Sequence, residues 1–159
     1  MEGQFFFTTV AGLALSVAGL GALVTTFRRG AAWSRTEVSR LRNIVQLGFV
    51  CMFLGLVPVP LYYAVGGDQL LTMRLASLVI AFAETWELML ILRQRRHWEN
   101  QSWVGPLIGI VSLEVAFNLL NAILGALPLL MLGLLLWLAH PVYLFIRVVR
   151  DFQPPVAGE

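Results

Sequence analysis

The chain has no lysine, one cysteine, two histidines and only 13% charged residues over 159 positions. Each scarcity closes off some chemistry. A lone cysteine cannot form an intrachain disulfide, and Cys51 lies inside an apolar stretch, so it reads as a small buried hydrophobe. Of the two histidines only His140 falls within an apolar stretch, so a bis-histidine haem would need two chains. The aspartates, Asp68 and Asp151, both lie outside those stretches, which leaves no pair for intramembrane aspartyl chemistry. The sequence has no HExxH, no nucleophile elbow and no glycine-rich phosphate loop. The paired Glu-x-x-His signature of di-iron bundles is missing too. No cofactor and no resident metal are expected, and without a nucleophile–base pair neither is an enzyme. The absence of lysine beside abundant Arg, Ala, Gly and Leu suggests a GC-rich bacterial genome, and hence a bacterial inner membrane.

What the chain does contain is hydrocarbon. It is 58% hydrophobic with a mean hydropathy of +0.80, whereas roughly a quarter of the residues in a soluble domain are charged. Its eleven basic residues are all arginines, and ten form three clusters. Arg28, Arg29, Arg35, Arg40 and Arg42 follow the first apolar stretch. Arg93, Arg95 and Arg96 follow the third, and Arg147 and Arg150 the fifth. Basic loops stay cytoplasmic during insertion, so the alternation predicts an all-α integral membrane protein. It would be a single bundle of five transmembrane helices, with the N-terminus outside and the C-terminus cytoplasmic. The formal net charge of +2 then reflects arginines at a membrane surface meeting anionic lipid headgroups, with no nucleic acid as partner.

A span needs about 20 apolar residues, and five segments qualify: 5–27, 44–64, 70–92, 103–124 and 127–149. Together they make one transmembrane domain, residues 1–150, followed by a flexible tail over 151–159. The early segment lacks a basic region before its apolar run, so it reads as a retained first helix. Ser34 and Glu37 have capping-box spacing, which extends the second helix back to about residue 35 on the cytoplasmic side, with Trp33 at headgroup depth. Pro58 and Pro60 are expected to bend or loosen its outer end. Asp68 is a candidate N-cap for the third helix. Small residues recur along the first helix, with Gly12, Ala14, Ser16, Ala18, Gly19 and Ala22 at helical spacing. Small residues let helix backbones approach closely in lipid, so these mark a packing interface, within the chain or with another copy.

The informative residues are polar ones inside the spans. Glu84 and Glu87 interrupt the third, Glu114, Asn118 and Asn121 the fourth, and His140 the fifth. At about 1.5 Å per helical residue, Glu84, Glu114 and His140 each lie roughly 18–21 Å from the outer helix ends. Glu114, Asn118 and Asn121 share one stripe at i, i+4 and i+7, and Glu84 and Glu87 share a face. His140, Tyr143 and Arg147 repeat that pattern toward the cytoplasmic surface. An ionised group at the centre of a span costs about 2.5–3.5 kcal/mol on insertion scales, so the three stripes are expected to face one another or a wet path. Glu87, two turns from the inner arginines, is expected to pair with one of them or to snorkel.

These features imply a small oligomeric membrane protein providing an ion or proton pathway through a midplane Glu/His/Asn cluster. Glu84, Glu114, Asn118, Asn121 and His140 would line that pathway, with Glu87, Tyr143 and Arg147 secondary. Two other classes fit the same residues. In one, the cluster only bonds helices together in an accessory or scaffold subunit whose partner is another membrane protein. In the other, Trp86, Trp137 and Tyr143 surround an apolar cleft for a lipid or quinone.

Overall fold

The computed structural model describes residues 1–27, 35–94 and 104–151. The described chain is all-helical: α1 (Gln4–Phe27), α2 (Arg35–Leu56), α3 (Pro58–Ala64), α4 (Gln69–Gln94), α5 (Val104–Leu124) and α6 (Leu127–Asp151). Five helical stretches are long and apolar enough to cross a membrane, the second running through α2 and α3 as Leu41–Ala64. Ser34, Trp33 and the tail beyond Asp151 lie outside the described residues.

The prolines loosen the outer end of the second span without ending it. Pro58 opens α3, and having no N–H it leaves out the bond that a donor there would make to the Leu54 carbonyl. Val57, between α2 and α3, keeps right-handed helical dihedrals. It donates its N–H to Phe53 and accepts one from Leu61. The backbone therefore stays helical across the junction, with gaps in the ladder at the two prolines, and the second span runs to Ala64.

The turns show why the chain reverses where it does. After α3, Gly66 and Gly67 adopt φ of +70° and +87°, the left-handed region that glycine enters without steric cost. Asp68 then caps α4, its Oδ1 accepting from Leu71 N at 2.9 Å. Gly125, at φ +69°, closes the α5–α6 turn against Leu70. A Cβ there would fall 2.5 Å from the Leu70 side chain, so the turn admits glycine for both backbone and space.

Helices α1 and α2 pack as one pair and α4 and α5 as another, and α6 lies against both. The first pair is built on small residues. A Cβ on Gly48 would lie 2.8 Å from Ala18 Cβ and 3.0 Å from the Ala14 carbonyl, and Gly55 rests on the backbone of Phe7 and Ala11. Ala14 and Ala18 thus pack inside the chain. Gly12, Ser16, Gly19 and Ala22 face outward, and the Ser16 hydroxyl donates back to Gly12 O at 2.9 Å. Thr8, Thr9 and Thr85 satisfy their hydroxyls on their own helices in the same manner.

The central apolar core draws Phe7, Val10 and Ala14 from α1, Cys51 and Leu54 from α2, and Met73, Ala76 and Ile80 from α4; α6 adds Leu130, Leu134, Trp137 and Leu138. Helix α5 contributes nothing to that cluster. Its buried side chains are Val111, Glu114, Asn118 and Asn121, while Leu113 and Ile123 face out at about 70% exposure. A soluble helix buries its apolar face; α5 does the reverse, as a helix does when its outward solvent is hydrocarbon.

Helix ends gather consistently. The N-terminus meets the start of α4 through a reciprocal pair, Glu2 N to Gln69 Oε1 and Gln69 Nε2 to Glu2 Oε2, both 3.2 Å. Gly3 sits against Leu127 at the start of α6. At the opposite end, Leu41 and Ile44 of α2 pack with Val24 of α1 and Leu144 and Phe145 of α6. The backbone positions of Arg35, Arg40, Arg42, Arg93, Arg147 and Arg150 all belong to that second end.

A buried carboxylate–histidine cluster between α4, α5 and α6

Three helical stripes meet. Helix α4 presents Ser77, Glu84 and Glu87, α5 presents Glu114, Asn118 and Asn121, and α6 presents Gly133, Trp137 and His140. On each helix the spacing is close to a multiple of 3.6, which keeps all three residues on one face. Glu84, Asn118 and Asn121 are fully buried, and Glu114 is 3% exposed.

Asn118 is the hub. Its Nδ2 donates to Glu84 Oε1 at 2.9 Å, joining α5 to α4, and also to the Glu114 carbonyl at 3.3 Å. Its other side abuts Gly133 of α6. A Cβ there would lie 3.0 Å from Asn118 Oδ1 and 3.2 Å from Nδ2. Any side chain there would press on the amide, so glycine is what lets α6 come this close without displacing it.

Glu114 and His140 complete the cluster. Glu114 Oε2 lies 3.9 Å from His140 Nδ1, which is too long for a hydrogen bond. Both carboxylate oxygens of Glu114 and both ring nitrogens of His140 are buried without hydrogen-bond partners. Glu84 Oε2, Glu87 Oε2, Asn118 Oδ1 and Trp137 Nε1 share that condition. Buried polar groups are normally satisfied, so eight orphaned atoms in one place set this region apart from ordinary packing. Glu84, Glu87 and Glu114 are also close enough to feel one another's charge.

The structure therefore brings Glu84, Glu114, Asn118 and His140 together, and it adds Glu87. Among the described residues Glu87 has no arginine partner; it turns toward the other carboxyls and Trp137 instead. The reason is its i+3 relation to Glu84, which keeps both on the buried face of α4. Asn121 stands apart from the titratable groups. Its Nδ2 donates to Ser77 Oγ at 2.8 Å, and its Oδ1 accepts from Ala126 N at 2.9 Å. Both ends of the amide are thus engaged in clamping the α5–α6 turn to α4. Tyr143 points outward at 47% exposure, and the Arg147 side chain lies outside the described residues.

Two participants escape a reading of sequence alone, Ser77 and Gly133, and a third, Trp137, was expected at an apolar cleft and not beside the carboxyls. Ser77 sits two turns before Glu84, and Gly133 and Trp137 lie on the stripe of His140, so the signal was their spacing relative to the ionisable residues. The three aromatics considered for an apolar cleft separate. Trp137 is 1% exposed, whereas Trp86 and Tyr143 face outward. Among the described residues no group of three His, Cys, Asp or Glu side chains has the geometry to hold a metal ion. No protein-family description, curated protein or solved structure matches the chain.

Proposed function

We propose that this protein is a small, oligomeric, multi-pass membrane protein that carries protons or small cations across a bacterial inner membrane. Its arginine-bearing end would be cytoplasmic, the C-terminus inside and the N-terminus outside, in keeping with the positive-inside rule. The observation that carries the reading is the Glu114–His140 pair, two titratable side chains 3.9 Å apart with none of their four polar atoms bonded. Such groups in a span are expensive, and they favour a role in moving charge over one in packing. Glu84, held by Asn118, supplies the neighbouring carboxyl, and a proton passed among Glu84, Glu114 and His140 leaves the apolar frame undisturbed.

The test is proton and monovalent-cation flux into sealed liposomes containing purified protein, comparing wild type with Glu114→Gln across pH. Flux that falls in the folded variant supports the pathway. Absence of flux in folded wild type overturns it.

A second reading has its own observation. The Asn118–Glu84 and Asn121–Ser77 bonds both tie α4 to α5, as in an accessory subunit whose polar groups only join helices. A specific membrane protein that co-purifies, together with failure of Glu114→Gln to assemble, would favour it.

A further inference from the structure

Trp137 is the largest of the fully buried side chains, and filling space explains only its ring. Its indole N–H is a donor with no acceptor function, and it is buried without a partner. Buried indoles ordinarily find an acceptor. Trp137 packs in the core cluster with Ile80, and Ala83 packs against that cluster. Glu87 follows Ala83 by one turn on the same face of α4, and its Oε2 is likewise buried and unpartnered. An unsatisfied donor on α6 and an unsatisfied acceptor of matching chemistry on α4 therefore belong to facing surfaces. Glu87 is also in electrostatic reach of Glu84 and Glu114. It lies one turn nearer than Glu84 to the arginine-bearing end of α4.

We propose that Trp137 is a positioning residue whose N–H holds Glu87 in the cluster as a third proton-exchanging carboxyl, on the side of the arginine-bearing end. This rests on the pathway reading above and narrows the transported species to the proton. Among the described residues, the titratable groups of the cluster are Glu84 on α4, Glu114 on α5 and His140 on α6, and no charged side chain of α1 or α2 acts on Glu87. The indole would give Glu87 a donor from α6, as Asn118 of α5 gives one to Glu84, and Glu114 is the carboxyl left without one.

Trp137→Phe keeps an aromatic ring, smaller than the indole, and removes the donor. Infrared titration of carboxyl bands in purified protein would follow Glu87, assigned by the band lost in Glu87→Gln. In Trp137→Phe the Glu87 step is expected to be displaced by about one pH unit, the size of a hydrogen bond to a charged group. In the Glu87→Gln background Trp137→Phe should displace nothing further. A Glu87 step that stays in place in folded Trp137→Phe overturns the proposal.

In liposomes, proton flux should fall about tenfold in Glu87→Gln, and its pH profile should move in Trp137→Phe. Conducting protein with an unmoved infrared step would sink the Trp137 role alone, whereas a displaced step in folded protein that does not conduct would sink the pathway and the proton-exchanging role of Glu87 with it. Should Trp137→Phe not assemble, the indole N–H band in Glu87→Leu decides the contact. A shifted band supports it and an unmoved band overturns it.

Discussion

Glu114 Oε2 and His140 Nδ1 face each other across 3.9 Å, at a contact between α5 and α6 where neither side chain has another polar partner. A shared proton gives this pair two states. Either a neutral acid faces a neutral imidazole, or the proton moves to His140 and the resulting ion pair contracts to hydrogen-bond length. The gap observed is small enough for side-chain rotation alone to close it. His140→Ala should therefore leave Glu114 without its exchange partner and lower proton flux about as much as Glu114→Gln. The double variant should be no worse than either single, since groups acting as a unit are non-additive. Flux losses that simply multiply would show that the two residues act separately.

Gly133 sets how closely α6 approaches Asn118. A methyl group there would stand 3.0 Å from Asn118 Oδ1, so the amide has to give by a few tenths of an ångström, and its bond to Glu84 is the contact put at risk. Gly133→Ala is expected to cost about 1 kcal/mol, and Gly133→Leu about 1–3 kcal/mol, in unfolding titrations in mixed micelles. Asn118→Leu should cost a similar 1–3 kcal/mol or so, because it strands Glu84 Oε1 in a buried site. If Gly133→Leu were as stable as wild type, the close packing of α6 on Asn118 would not hold.

Much of this arrangement was legible in the chain, for identifiable reasons. The Glu114, Asn118 and Asn121 stripe stands out because ionisable and amide groups are conspicuous in hydrocarbon, and their helical spacing leaves one face to put them on. The spans follow from length and apolar composition, the second passing from α2 into α3 at Pro58 because a proline is tolerated in the first turn of a helix. Gly133 was hidden because a glycine is unremarkable in an apolar helix, and Trp137 was assigned to an apolar cleft because its ring reads as hydrocarbon surface. Their role depends on which helix faces them, and that is a tertiary fact. The small residues of α1 illustrate the same limit. Two interleaved stripes carry them, and only the contact with Gly48 and Gly55 on α2 reveals that Ala14 and Ala18 lie on the packed one. Glu87 was expected to pair with an inner arginine or to snorkel; among the described residues it shares a face with Glu84, and its Oε2 is buried.

The Asn121 amide is engaged at both ends, bonded to Ser77 on one side and to the Ala126 N–H on the other. That pattern belongs to a clamp on the α5–α6 turn and not to a relay, since a side-chain amide has no proton to pass at ordinary pH. Ser77→Ala should cost about 0.6 kcal/mol, the average for a hydrogen bond between membrane helices. Asn121→Ala should cost about 1–3 kcal/mol, because it removes two hydrogen bonds of roughly 0.5–1.5 kcal/mol each. Neither should change the pH dependence of flux. A changed pH profile in folded Ser77→Ala would return Asn121 to the conduction path.

The glycines of α1 and α2 divide into those that meet another helix and those that do not, and this gives a test of the α1–α2 seam. Gly48 meets Ala18 Cβ and the Ala14 backbone, and the backbone cannot move aside as a flexible side chain would. Separating two packed helices to admit one methyl group should cost about 1–3 kcal/mol. A Cβ on Gly12 or Gly19 would have nothing within 4 Å. At those positions Gly→Ala should be neutral, or stabilising by up to about 1 kcal/mol through helix propensity. Unfolding of Gly12→Ala, Gly19→Ala and Gly48→Ala under identical micelle conditions would compare them directly. Equal losses at all three sites would mean that α1 packs through a different face from the one containing Ala14 and Ala18. A loss confined to Gly48→Ala would establish that these two alanines, and not the outward Gly12, Ser16 and Gly19, carry the helix pair.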